Sequence, residues 1–127
     1  MDLPVFDNIT SLLGRFLDVQ SRRAEVVAGN LANVDTPGYV AREVEFDDFL
    51  RNAAAESLAQ PGKQQNSPLA ALRVVNQEPT TIGIDGNTVD AGHEMSVLAE
   101  SGTKYLQGTQ LLQMRLRTLR AAIREGK

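Results

Sequence analysis

The chain has 127 residues, of which 42% are hydrophobic and only 5% aromatic, with no tryptophan; that length holds one domain rather than two, and the shortage of large rings argues against a thick, deeply buried core. Thirteen Lys and Arg against sixteen Asp and Glu leave a net charge of -3, which does not suit a protein that coats nucleic acid. The absence of cysteine excludes disulfides, thiolate metal sites and thiol nucleophiles.

Near Met1 there is neither the basic segment nor the apolar segment of a cleaved secretory signal. No stretch approaches the roughly 20 apolar residues that span a bilayer. The sequence therefore reads as a soluble chain, or one moved by a route that uses no cleaved signal.

Residues 8–34 carry apolar side chains at Ile9, Leu12, Leu13, Phe16, Val19, Val26, Val27 and Leu31, a three-and-four spacing with one seven-residue step across Arg23, the stripe of an amphipathic helix. Asp7, Asn8 and Thr10 each have an oxygen suited to capping its first turn. At the other end Asn33 is expected to take a left-handed conformation, and Thr36-Pro37-Gly38 to form a type II turn, with Pro37 fixing one φ and Gly38 supplying a positive one.

Residues 35–50 then read as this turn plus an extended arm. Val40, Arg42, Val44 and Phe46 alternate with Ala41, Glu43, Glu45 and Asp47, a period of two with one apolar and one acidic face. Residues 51–80, rich in Ala, Gln, Ser and Pro, lack any sustained period and read as a flexible loop. Within and beyond it, Arg73-Val74-Val75 and Thr80 to Ile84 suggest two short strands, and Asp85-Gly86-Asn87 a hairpin turn in the short β segment 81–90.

Residues 91–125 give the strongest periodic signal. Met95, Leu98, Gly102, Tyr105, Thr109, Leu112, Leu116, Leu119 and Ile123 alternate three and four apart for four heptads, a coiled-coil seam. Thr88 or Asp90 is placed to cap its start, with Glu94 in the first turn and Arg120, Arg124 and Lys127 at the end that the helix dipole favours for cations. The expected fold is mainly α: an elongated pair of long terminal helices sharing a seam, with an extended arm, a flexible loop and a small β-element between them. Such a hairpin has one internal interface, and Leu13, Leu17, Val27, Leu106, Leu111 and Met114 widen the stripes beyond it. At about 25 cal/mol per Å2 of apolar surface, a second packing partner would supply what the isolated pair lacks.

Chemistry is sparse. His93 is the sole histidine and stands outside any HExxH spacing, so no metal site is expected. Asp85, Asn87 and Asp90 lack the spacing and bidentate Glu of a calcium loop. No phosphate-cradling glycine loop or Ser/His/Asp set is present, so neither catalysis nor a cofactor is expected. The basic residues Arg115, Arg117, Arg120 and Arg124 read as a solvated helix face or as intersubunit ion pairs with the acidic run near Glu43, and not as a nucleic-acid or membrane patch.

Asn30-Leu31-Ala32-Asn33-Val34-Asp35-Thr36-Pro37-Gly38-Tyr39 resembles the signature that closes the N-terminal helix of bacterial flagellar rod and hook proteins. Gly86-Asn87-Thr88-Val89-Asp90, then His93 to Glu100, Lys104-Tyr105 and Leu119 to Ile123, are most similar to the proximal rod members of that family. The resemblance covers about residues 8 to 50 and 84 to 124. It implies a structural subunit of the basal-body rod in the periplasm, exported by the flagellar apparatus without a cleaved signal. Its implied partners are other copies of itself, other rod proteins, and basal-body junction and export-gate proteins, with no nucleic acid and no membrane insertion. It also implies a turn motif at Asn30, Ala32, Asn33, Asp35, Thr36, Pro37, Gly38 and Tyr39. The seam residues Leu12, Phe16, Val19, Val26, Met95, Leu98, Tyr105, Leu112, Leu116, Leu119 and Ile123 become assembly residues. From the stripes alone, a cytoplasmic helical adaptor or secretion chaperone is the competing reading.

Overall fold

In the computed structural model the residues described are 4–47, 49, 51–52, 54–55 and 72–126, with side chains from residue 8 onward. Most of the expected flexible loop, residues 56–71, lies outside them. The elements are α1 (Pro4–Ala32), β1 (Arg42–Glu45), β2 (Arg73–Asn76) and α2 (Ala91–Glu125). This is the expected mainly helical chain, with two long helices and a small sheet between them.

α1 begins at Pro4, ahead of the expected caps: Asp7, Asn8 and Thr10 lie inside the helix. α2 begins as expected at Asp90, whose carboxylate accepts the His93 N–H at 3.0 Å. Thr88 serves the arm instead, its hydroxyl oxygen accepting the Ala41 N–H at 2.9 Å.

At 1.5 Å per residue the 29-residue α1 is about 44 Å long and the 35-residue α2 about 52 Å. They run antiparallel. Asn30 meets Glu94, Arg23 meets Glu100, and Phe16 and Leu17 lie against Gly108, so residue numbers fall along one helix as they rise along the other.

The sheet pairs β1 with β2, antiparallel, with Arg42 opposite Asn76 and Glu45 opposite Arg73. This corrects the expected hairpin: Thr80 to Ile84 is not a strand, and the turn at Asp85-Gly86-Asn87 does not join two strands. β2 also lies inside the stretch expected to be loop, and residues 47, 49, 51, 52, 54 and 55 are helical, so the arm expected through residue 50 is extended only as far as Phe46. β2 finds its partner in the arm because Val44 and Val74, opposite each other, join an apolar cluster formed by Val19, Val44 and Leu72 with Val26, Phe46 and Phe49 around them. Alternation along the arm holds at Val44 and Phe46 and fails at its start, where Ala41 is buried and Val40 exposed. Ala41 donates to Thr88 and accepts the Gln77 N–H at 2.8 Å, and this convergence of three segments suits a methyl group.

α1 therefore serves two neighbours. Val19 and Val26 pack in the sheet cluster, whereas Phe16 and Leu17 approach α2. An apolar stripe wider than a coiled-coil seam makes this division available.

Candidate functional site: the asparagine knot and the helix seam

The end of α1 is closed by side chains, and left-handed backbone enters only in the turn that follows. Among the described residues, positive φ occurs only at glycines, Gly38 at 70° and Gly86 at 80°, so the left-handed Asn33 expected from the sequence is not observed. Asn33 instead donates to the Gly29 carbonyl at 2.8 Å and accepts the Thr36 hydroxyl at 3.1 Å. The last turn tightens, with Asn33 N–H to Asn30 O at 3.0 Å and Val34 N–H to Leu31 O at 3.3 Å.

Thr36-Pro37-Gly38-Tyr39 then closes as the type II turn, Tyr39 N–H reaching Thr36 O at 3.2 Å. Helix ends leave carbonyls without intrahelical donors. In α1 the Asn33 side chain and the Asn33 and Val34 N–H groups supply donors to Gly29, Asn30 and Leu31, and Asn87 holds the carbonyls beyond the helix: its Nδ2 lies 2.9 Å from Asn33 O, 2.9 Å from Val34 O and 2.8 Å from Thr36 O, while its Oδ1 accepts the Val89 N–H at 2.8 Å.

Asn30, fully buried, is the second anchor. Its Oδ1 accepts Arg42 N–H at 3.0 Å and its Nδ2 donates to Arg42 O at 2.7 Å, so the side-chain amide pairs with β1 as a neighbouring strand would. The remaining Nδ2 proton goes to Glu94 Oε2 at 3.0 Å, and the Tyr39 hydroxyl donates to Oδ1 at 3.3 Å. One amide thus ties α1, the turn, β1 and α2 together with all its hydrogen-bonding capacity used.

Glu94 is 2% exposed. The first turn of α2 favours its charge, and a cavity of about 60 Å3 beside it, lined also by Arg23, Arg42 and His93, has room for a few waters. Gly38 and Gly86 complete the fit: a Cβ on Gly86 would lie 3.6 Å from Gly38 Cα, and Gly38 N–H donates to Asp85 O at 2.9 Å. Of the remaining signature residues, Ala32, Asp35 and Pro37 are exposed.

Arg23 breaks the apolar stripe of α1 and is a third tie. Its guanidinium lies 5.3 Å from the centre of the Phe46 ring and 3.8 Å from Glu100, joining arm and α2 across α1. Glu100 also accepts from Lys104 one turn on. The hydrogen bond and charge of Lys104, and then the charge of Arg23, hold its carboxyl below the ordinary value.

The seam differs from the one expected. The α2 residues buried against the rest of the chain are Glu94, Ser101 and Gly108, seven apart, with Leu98, Leu112 and Leu119 half-buried beside them. On α1, Leu12 and Phe16 are half-buried. Met95, Tyr105, Leu116 and Ile123 are 42–67% exposed in the single chain. The row of Leu98, Leu112 and Leu119 alternates three and four apart equally well with either adjoining row. Apolar content favours the Met95 row, but backbone approach favours Ser101 and Gly108. A Cβ on Gly108 would come within 2.8 Å of Leu17 Cδ2 and 3.2 Å of the Phe16 ring. Gln20 Oε1 and Ser101 Oγ are buried there without a hydrogen-bond partner.

Residues 17–39, from the middle of α1 through the turn, match the flagella basal body rod protein family. Over 128 residues the chain is 31% identical to flagellar basal body rod protein FlgB of Aeromonas hydrophila, covering 94% of this chain and 95% of that one. The chain belongs to the FlgB family of flagellar basal body rod proteins. The FlgB of Escherichia coli strain K12 is 30% identical over 122 residues, and that of Salmonella typhimurium strain LT2 28% over 124, each match covering 87% of this chain and 88% of the relative. The stretch matched to the rod family contains Asn30, Asn33 and Arg23, the anchors on α1.

The sequence marks Asn30 and Asn33 but not their partners. Asn87 and Glu94 stand in it as a turn residue and a first-turn acid. A polar residue after a positive-φ glycine, and an acid one residue before an apolar row, are the signals that it offers for them.

Proposed function

We infer that this chain is a structural subunit of the proximal rod of the flagellar basal body. We propose further that its copies pack through helix seams into a shaft that surrounds the export channel and carries torque. The observation that carries the reading is the knot on Asn30 and Asn87, in which Asn30 and the turn belong to the segment that matches the rod family. It sets the direction in which the arm leaves α1, and in an assembly that direction decides which neighbour the arm reaches.

The exposed Met95, Leu116 and Ile123 support assembly. They form an apolar row that the chain's own α1 does not cover, available to a neighbour's helix, while Tyr105 widens the same flank. A shaft gains from close-packed seams because such interiors resist compression and shear. Other rod proteins, and the junction and export-gate proteins at the rod's base, are the proposed partners, in the periplasm. A structural role requires no catalysis. The competing reading, a cytoplasmic adaptor or secretion chaperone, receives no support from these relatives, which carry the rod-protein name.

The test is deletion of the gene in its native host and replacement by an epitope-tagged copy. Loss of rods on deletion, with the tagged chain recovered in purified basal bodies, is the expected result. Intact rods without the chain, or a chain confined to the cytoplasm, would contradict the reading.

A further inference from the structure

The turn end is acidic, whereas the far half of α2 is basic. Residues 33–47 and 72–94, which form the turn end, hold eight carboxylate residues and two arginines. Residues 105–126, at the far end of α2, hold four arginines and one glutamate. Glu43 lines the cavity beside Val97, and Arg120 lies 23 residues further along α2, about 35 Å away. That is several times the screening length of about 8 Å at physiological ionic strength, so the ends of one chain do not pair with each other.

Each end is open for pairing. Arg117, Arg120 and Arg124 are exposed and make no ion pair among the described residues. Spaced three and four apart they share one helix face over about 10 Å. Glu43 and Glu45 are exposed on the same face of β1, about 7 Å apart, and Asp47, two residues further on and helical, is exposed as well. Glu45 is partly engaged by Arg73 at 3.8 Å, whereas Glu43 and Asp47 have no such partner among the described residues. Three carboxylates, two on β1 and one just beyond it at Asp47, and three guanidiniums on a helix face thus match in number.

We propose that the final turns of α2 dock, through Arg117, Arg120 and Arg124, on the Glu43–Glu45–Asp47 arm of a second copy of this chain. The contact gives the assembly a direction, because turn end meets helix end and like ends repel. Exposed Ile123, 67% accessible, lies on the last turns of the same helix and adds apolar area at the contact. The proposal rests on the rod reading above and goes beyond it by naming the contact.

The absence of cysteine makes the test clean. The full chain carrying Asp47→Cys and Arg120→Cys replaces the native copy in the host, and isolated basal bodies are treated with a short bis-maleimide. The expected result is a dimer band of this chain joined from position 47 to position 120, absent from either single-cysteine variant. In a second arm, Arg117→Glu with Arg120→Glu is expected to reduce swimming at least tenfold, and Glu43→Arg with Asp47→Arg in the same chain to restore it. Incorporation into basal bodies without the 47–120 crosslink, a crosslink to a different protein, or charge reversal that is harmless or not rescued by its reciprocal would overturn the proposal and leave the rod reading standing. Absence of the unsubstituted chain from basal bodies would overturn both.

Discussion

Asn30 is the residue on which the turn depends, because its amide neutralises three separate costs at once. Without it, Arg42 loses partners for both N–H and C=O, and the Glu94 carboxylate is left buried without its donor. A buried group stripped of its partner costs more than a hydrogen bond contributes, and most of all when it is charged. Asn30→Ala is expected to destabilise the chain by about 3–5 kcal/mol in urea unfolding. The penalty should shrink by about 1–3 kcal/mol when Glu94→Ala is already present, since no charge is then orphaned; additive effects would show that the two residues are not coupled. Glu100 makes a separate, pH-dependent contribution. Its folded pKa is lowered, so the stability it provides is present above the ordinary value of 4.5 and is lost as pH falls through the folded value. The gap in urea midpoint between wild type and Glu100→Gln should therefore be present at pH 7 and close as the solution is acidified below 4.5. A gap that widened in acid would contradict the assignment.

At the scale of elements, two glycines of α2 are expected to behave oppositely. Gly102 is exposed, and a Cβ there meets nothing within 4 Å, so Gly102→Ala should stabilise by about 0.5–1 kcal/mol through helix propensity. Gly108 faces Phe16 and Leu17 at distances already too short for a methyl group, so Gly108→Leu must push the helices apart, at about 1–3 kcal/mol. Thermal unfolding of both variants decides which row faces α1. The same pair shows what is legible in the sequence. The helices, the type II turn and the Asp90 cap follow from local spacing and turn chemistry, which sequence displays directly. The row of the seam does not, because Met95-type and Ser101-type rows satisfy the same period and only the distance between backbones separates them. Nor is the β1–β2 pairing legible, since Val44 and Val74 are joined by tertiary packing against Val19 rather than by a turn of their own. Asn33 does stand at the end of α1, but it caps the Gly29 carbonyl with its side chain rather than by a left-handed backbone, and a remote side chain, Asn87, holds the carbonyls that follow.

On the scale of the whole molecule, stability is distributed unevenly. The turn end has the asparagine knot, the sheet and the apolar cluster. The other end of α2 has Leu106, Leu111, Met114, Leu116 and Ile123 all at least 42% exposed, and every residue from Arg120 to Gly126 exposed. Few buried contacts mean a low cost of local opening. A subunit built this way keeps a rigid elbow while leaving a helix end to be completed by its neighbours. Among the described residues, the buried Gln20 Oε1 and Ser101 Oγ have no hydrogen-bond partner.

Residue-resolved hydrogen exchange on the purified full chain, before and after incorporation into basal bodies, tests this division most directly. The slowest amides should be those of the knot, including Ala41, Arg42, Thr88, Val89 and Glu94. Those of residues 115–125 should exchange fast in the free chain and become protected in the assembled rod. Equal protection of both ends in the free chain, or a knot that exchanges as fast as the end of α2, would contradict a subunit whose elbow is preformed and whose seam is finished by assembly.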